Sequence, residues 1–307
     1  MSKLSKNMSI KLPPFVSVVG ITLLILGGSY LLFGRGSKSV ENNRPIQSHR
    51  SYEIETVSAL GNTQPNKATK IVYKIRDEQG NVLKDFDVVH EKIMHFIIVR
   101  EDLQYFQHLH PSFEATSGEF EIPVTFVAPG EYRAFADFTP STGQIGPDGD
   151  KLPVTVYQDI KVGNLSSYKP LPIGNTDKVK TYGDYQVALM LNSERNVSQS
   201  NQSFTFEIKK DGQLVTNLET YLGALGHTVV LREGDLQFIH AHATQKPTDP
   251  QMGKVNFAIT FPETGNYKLF SQFQHESKII TSDFVVSVAE GKESPSNSAP
   301  HGRTPQH

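Results

Sequence analysis

The chain has 307 residues, eleven histidines, no cysteine and no tryptophan, and a formal net charge of -2 at pH 7. That near-neutral balance leaves no electrostatic footprint for nucleic acid. The missing thiols exclude disulfides, cysteine-ligated zinc, blue-copper centres and cysteine nucleophiles, so any metal here is held by nitrogen and oxygen, with methionine as the sole sulfur donor.

In chain order, residues 1–14 carry Lys3, Lys6 and Lys11 and no acidic residue, and residues 15–33 form an uncharged apolar run. A run of that length is close to the ~20 residues that cross a bilayer as a helix, and the preceding lysines favour a cytoplasmic N-terminus. Arg35 and Lys38 beyond the span weaken that bias. A cleaved signal peptide is the alternative, although no clear small-x-small cleavage site follows the run. The expectation is a single-pass anchor in the cell membrane with everything after it extracytoplasmic. Residues 34–50 read as a polar stalk. Residues 51–165 and 183–290 read as two β-domains joined by a proline-bearing linker at 166–182, and residues 291–307 as a disordered tail. Within the domains, short alternating runs such as TKIVYKI, FEIPVTF and YRAFADF are separated by turn signals such as DEQGN and APGE. No amphipathic helical pattern competes with them, so the class is all-β.

An internal repeat supports the division. Shifting the chain by 132 positions places Gly80 on Gly212, His95 on His227 and Arg100 on Arg232. Phe106, His108 and His110 then fall on Phe238, His240 and His242. A shift of 135 continues the match, with Gly130, Tyr132, Phe135 and Phe138 on Gly265, Tyr267, Phe270 and Phe273. A period this long means duplicated domains rather than a solenoid.

The histidines sit in a stretch that otherwise reads as buried strand, HEKIMHFIIVREDLQYFQHLHP. A hairpin turning at Glu101-Asp102 makes His95 face His108, with His110 on the same side because residues two apart share a face. The second copy then turns at Glu233-Gly234, where glycine suits the positive φ of a tight turn. The face also carries Ile97, Val99 and Phe106, or Val229, Leu231 and Phe238, and so reads as the core side of each domain, with the histidines at its rim. A lone histidine on an apolar face is ordinarily a hydrogen-bonded boundary residue. Three at matched spacing in both copies point instead to a cation that neutralises the arrangement. His90 can add a fourth imidazole to His95, His108 and His110. In the second copy Leu222 replaces it, leaving His227, His240 and His242, with His275 as the remaining donor to consider. Nitrogen-rich donor sets suit divalent copper, zinc or nickel, and the Irving-Williams order favours copper over zinc. Met94 and Met252 are the nearest thioethers.

The segment HEKIMHFIIVREDLQYFQHLHP, followed by FVAPGEYRAFADF and by YLGALGHTVVLREGDLQFIHAHA, resembles YtkA-like and related immunoglobulin-type domains of bacterial envelope proteins. The resemblance implies two tandem immunoglobulin-like β-sandwich domains after the transmembrane helix. It also implies heavy-metal handling, particularly of copper, with His90, His95, His108, His110, His227, His240 and His242 as ligands. The expected role is buffering of the ion or its delivery to a metal-efflux system, without catalysis. Leu222 and Ala243 depart from the first copy's His90 and Pro111. Two other readings remain beside it: a structural or adhesive pair of sandwiches with non-ligating histidines, and a cupin-like metalloenzyme using His108, His110 and Glu114. The aspartates of GPDGDK, residues 146–151, read as a turn rather than a calcium loop.

Overall fold

The computed structural model describes residues 51–147, 149–193 and 195–291. The apolar run at 15–33, the stalk at 34–50 and the tail from residue 292 lie outside them. Among the described residues no helix is long and apolar enough to cross a membrane. The regular elements of the described residues are strands, apart from one 3-10 turn at Leu165–Ser167.

The first domain comprises β1 (Glu53–Thr56), β2 (Ala68–Arg76), β3 (Phe86–Asp87), β4 (His95–Arg100), β5 (Gln107–Leu109), β6 (Ser112–Glu114), β7 (Glu119–Thr125), β8 (Gly130–Pro140) and β9 (Val154–Val162). One sheet runs β1-β2-β7-β6. The other runs β9-β8-β4-β5, with β3 also paired to β8. The second domain comprises β10 (Val179–Tyr182), β11 (Tyr185–Leu191), β12 (Asn196–Val197), β13 (Asn201–Lys210), β14 (Gln213–Leu214), β15 (His227–Arg232), β16 (Phe238–His242), β17 (Lys254–Thr260), β18 (Gly265–His275) and β19 (Lys278–Ala289). Its sheets run β10-β11-β13-β17, with β14 on β13, and β12-β19-β18-β15-β16. The first of these strands corrects the sequence boundary: residues 179–182, assigned to the linker, pair with β11 from Val179↔Ala188 to Tyr182↔Tyr185.

Each domain is a sandwich of two sheets whose facing side chains alternate inward. Tyr73, Phe96 and Phe120 stack in the first core, and Phe206 packs on Phe257, Phe273 and Phe284 in the second. The tyrosine that opens the long strand of each copy donates from its hydroxyl to a carbonyl four residues upstream, Tyr132 to Ala128 at 2.9 Å and Tyr267 to Glu263 at 2.8 Å. That corner, with the sheet orders, is the immunoglobulin-like arrangement.

Strand β4 is buried on both faces along its whole length. Phe96 and Ile98 point into the first sandwich core. Ile97 and Val99 point the other way and join Phe135, Val229, Leu231 and Phe270 in a separate apolar cluster between the two domains. The histidine face is therefore the surface through which the domains dock, and not the core side of either. Its packing is reciprocal: Phe106 of the first domain stacks on Phe270 of the second at 4.3 Å, and Phe238 of the second stacks on Phe135 of the first at 5.0 Å. Positions related by the repeat exchange partners, as in an isologous dimer built into one chain. The linker is packed down as well, with Leu171 N donating to Asp102 Oδ2 at 2.9 Å and Gln104 Nε2 donating to Pro172 O at 3.1 Å.

Candidate metal centre

The hairpin that carries each triad is registered two residues away from the sequence expectation. Ile97 faces His108 and Phe96 faces Leu109 in the first copy, and His227 faces His242 in the second. The cause is the turn. Asp102 forms a two-pronged ion pair with Arg100 (2.9 and 2.6 Å) while accepting from Gln104 N at 3.2 Å. Asp235 likewise pairs with Arg232 and accepts from Gln237 N at 3.1 Å. An aspartate that bonds the backbone two residues on creates a wider loop than a two-residue turn. Leu103 and Leu236 take left-handed backbone, at φ 61° and 59°, as part of it. A shift of two preserves the face of every side chain, whereas a shift of one would have reversed them all.

His95, His108 and His110 therefore converge: one ring nitrogen from each lies within 4.8 Å of the others, and the same holds for His227, His240 and His242. Ring centroids within the triads are 4.9–5.3 Å apart in the first and 4.6–5.9 Å in the second. Imidazoles bound to one tetrahedral ion, with metal-nitrogen distances near 2.0–2.1 Å, have centroids about 5 Å apart.

Hydrogen bonds at the far side of the rings fix which nitrogen is free. His95 Nε2 donates to Val89 O at 3.2 Å and His227 Nε2 to Leu222 O at 3.1 Å, since a carbonyl can only accept. His240 Nδ1 donates to Asp137 Oδ2 at 2.8 Å, and His108 Nδ1 meets Gln272 Oε1 at 2.8 Å. In neutral rings the lone pairs are then on Nδ1 of His95 and His227 and on Nε2 of His108 and His240. His227 Nδ1, His240 Nε2 and His242 Nε2 are all buried without a hydrogen-bond partner, as is His110 Nε2. His95 Nδ1 and His108 Nε2 face each other at 3.0 Å.

Neither Asp137 nor Gln272 was among the residues singled out from the sequence. They are equivalents under the 135-residue shift, two positions beyond Phe135 and Phe270, and that parity was the available signal. Asp137 lies directly across from His95 on β8, and Gln272 across from His227 on β18. Each nonetheless bonds a histidine of the opposite domain.

Burial sets the titration of the rings. Desolvation, followed by repulsion from His240, lowers His95 to about 4, His227 to about 3 and His242 to about 2. His110 falls to about 4 through burial and then the nearby Lys92 ammonium. Burial also carries His108 well below the ordinary range and lowers His90. His95, His108, His110, His227 and His242 are thereby held neutral at physiological pH, the form that ligates metal.

Two expected ligands stand elsewhere. His90, expected in the first triad, sits in a loop at φ 50° and stacks on His242 of the second domain with centroids 3.6 Å apart, against 6.3 Å from His95. A face-on stack at that distance is packing geometry, not the splayed arrangement of two rings on one ion. His275 is on the opposite face of β18 from Gln272, because the two are three residues apart. Its ring bonds Tyr185 Oη at 2.9 Å and Asn217 Oδ1 at 3.1 Å inside the second domain. Met94 is also diverted, its sulfur accepting from Tyr73 Oη at 2.9 Å in the first core, and Met252 is exposed. Glu114 lies on β6 in the other sheet and accepts from Thr116 N, away from the imidazoles that a cupin-like site would need beside it.

No curated protein is similar enough in sequence to count as a relative. Among solved structures, the chain is similar to the Escherichia coli adhesin FdeC, with 13% identity over 78% of this chain and 64% of that one, at a TM-score of 0.25. It is also similar to the Yersinia pseudotuberculosis adhesin InvE, with 11% identity over 77% and 58% and a TM-score of 0.23. The chain thus spans less than two thirds of either adhesin structure. The family match carries no YtkA-like or copper-handling assignment. A family model described as a domain of unknown function, DUF8832, matches residues 50–146 and 180–290, and the chain, more than half covered and with both triads inside the matched segments, belongs to that family.

Proposed function

We propose that this protein binds a divalent transition metal non-catalytically at the paired histidine triads between its domains, with copper favoured over zinc. The observation that carries the reading is the second triad. One nitrogen on each of its three rings is buried and unpartnered, while His227 and His240 use the other nitrogen on a fixed acceptor. Each unpartnered buried polar atom costs about 1–3 kcal/mol. Three such atoms gathered in one place, two of them lone pairs by the bonds on their other nitrogens, are offset by a cation. The first triad adds a second argument: with Gln272 Nε2 donating to Thr281 Oγ1, the facing nitrogens of His95 and His108 both present lone pairs, an arrangement that a shared cation relieves. All-nitrogen donors and the Irving-Williams order support copper. Three protein ligands leave a position for exchange, which suits buffering of the ion or its transfer to an efflux system. The apolar run at residues 15–33, with lysines before it, supports placement on the outer face of the cell membrane.

The test is metal analysis and calorimetric titration of untagged full-length protein with Cu(II) and Zn(II). Binding is expected, with nitrogen hyperfine structure in the copper spectrum. Absence of bound metal, of heat and of any thermal shift would overturn the reading, leaving the histidines as interface packing in a structural or adhesive protein.

A further inference from the structure

The two triads are related by the repeat, but the groups behind them are not alike. His240 Nδ1 is 2.8 Å from a carboxylate oxygen of Asp137, and both side chains are close to nine-tenths buried. The other oxygen of Asp137 accepts from Thr155 Oγ1 at 2.8 Å, so the carboxylate is held on both sides. At the equivalent place His108 Nδ1 meets the neutral amide of Gln272, itself held by Thr281 at 3.0 Å. The framework is duplicated, then, while the charge is not.

We propose that Asp137, acting through His240, makes the second-domain triad the tighter of the two metal sites, and that this site is completed only when the first domain is docked against it. The inference rests on the metal reading above. A carboxylate behind a ligating imidazole fixes its tautomer and raises its basicity, and removing such a partner typically weakens metal affinity 10–100-fold. An amide fixes the tautomer without supplying charge. Asp137 is thus a positioning residue contributed by one domain to the site of the other, and Gln272 returns the same service in weaker form.

Zinc titrations of the full-length protein separate the possibilities. The wild type should show a tighter and a weaker class, the tighter removed by His242→Ala and the weaker by His110→Ala. Asp137→Asn keeps an oxygen to accept from His240 but loses the charge, and should weaken the tighter class 10–100-fold. The unchanged weaker class then reports that the variant is folded. Gln272→Glu should tighten the weaker class. In the exchanged variant, Asp137→Asn with Gln272→Glu, the order should invert, so that His110→Ala removes the tighter class. A merely structural role for Asp137 would not produce that inversion. If the wild type binds a single ion, its loss in His242→Ala and survival in His110→Ala supports the same order. Tighter binding lost in His110→Ala, or classes unmoved by Asp137→Asn, overturns the inference alone. A wild type that binds no zinc or copper overturns the metal reading and this inference together.

Discussion

Among the residues, His275 separates ligation from packing. It carries the same side chain as the triad members and ends a strand next to them, but it points into the second domain, where Tyr185 and Asn217 take both ring nitrogens. His275→Ala should leave metal affinity unchanged and cost about 1–3 kcal/mol of stability through the partners left unsatisfied. His95→Ala should do the reverse, removing most of the first site's affinity. Titration and urea denaturation of the two variants check this, and loss of metal binding in His275→Ala would show the assignment of faces to be wrong. The pH dependence follows from the lowered rings. A histidine near 6.5 in the unfolded chain and near 4 or below when folded takes up its proton more readily on unfolding. Metal-free stability is therefore full above about pH 6.5 and declines as pH falls from there towards 4, with His95, His110, His227 and His242 all contributing. Denaturation midpoints measured from pH 8 to 4 should be flat and then fall. A midpoint that rises below pH 6.5 would contradict the lowering of these four rings.

For the hairpins, alternation and the repeat were enough to place each set of three histidines on one face, because side-chain parity survives any even error in register. The register itself was not legible. A two-residue turn at Glu101-Asp102 or Glu233-Gly234 satisfied the glycine and the spacing. What displaced it was an arginine-aspartate pair whose partners are separated by two positions in one copy and three in the other, a contact that only the folded loop reveals. The two pairs differ in surroundings: Arg100 and Asp102 are 5% and 1% exposed, Arg232 and Asp235 16% and 51%. Breaking a buried pair leaves an uncompensated charge, at about 3–5 kcal/mol, whereas an exposed pair is worth about 1 kcal/mol or less. Asp102→Ala should accordingly destabilise several-fold more than Asp235→Ala in urea denaturation, even though the two aspartates close the same turn. Equal losses would mean that turn closure, and not charge burial, sets the cost.

At the scale of the molecule, the sequence disclosed two copies of a domain but not that they face each other. Ile97, Val99 and Phe106 formed an apolar stripe, and a stripe is ordinarily assigned to the core of its own domain; nothing local distinguishes that core from a docking surface. Burial on both faces of β4 and β15 is what the docking adds. The consequence is that fold and site are coupled: the apolar cluster holds the domains together, and the histidines at its edge exchange hydrogen bonds across the same boundary. Leu231, fully buried in that cluster, tests the coupling. Leu231→Lys places an unpaired charge between the domains while leaving each sandwich core intact. The wild type should unfold in one transition, since a large apolar interface removes independent domain behaviour. Metal at 100 times its dissociation constant should add about 2.7 kcal/mol, a rise in Tm of about 5–10 °C for a unit of this size. In Leu231→Lys the transition should split, and the second triad, deprived of Asp137, should lose affinity although no ligand has been touched. Calorimetric scans with and without Zn(II) measure both. One transition with undiminished affinity would show that the triads assemble within their own domains and that the docked interface is incidental to the metal.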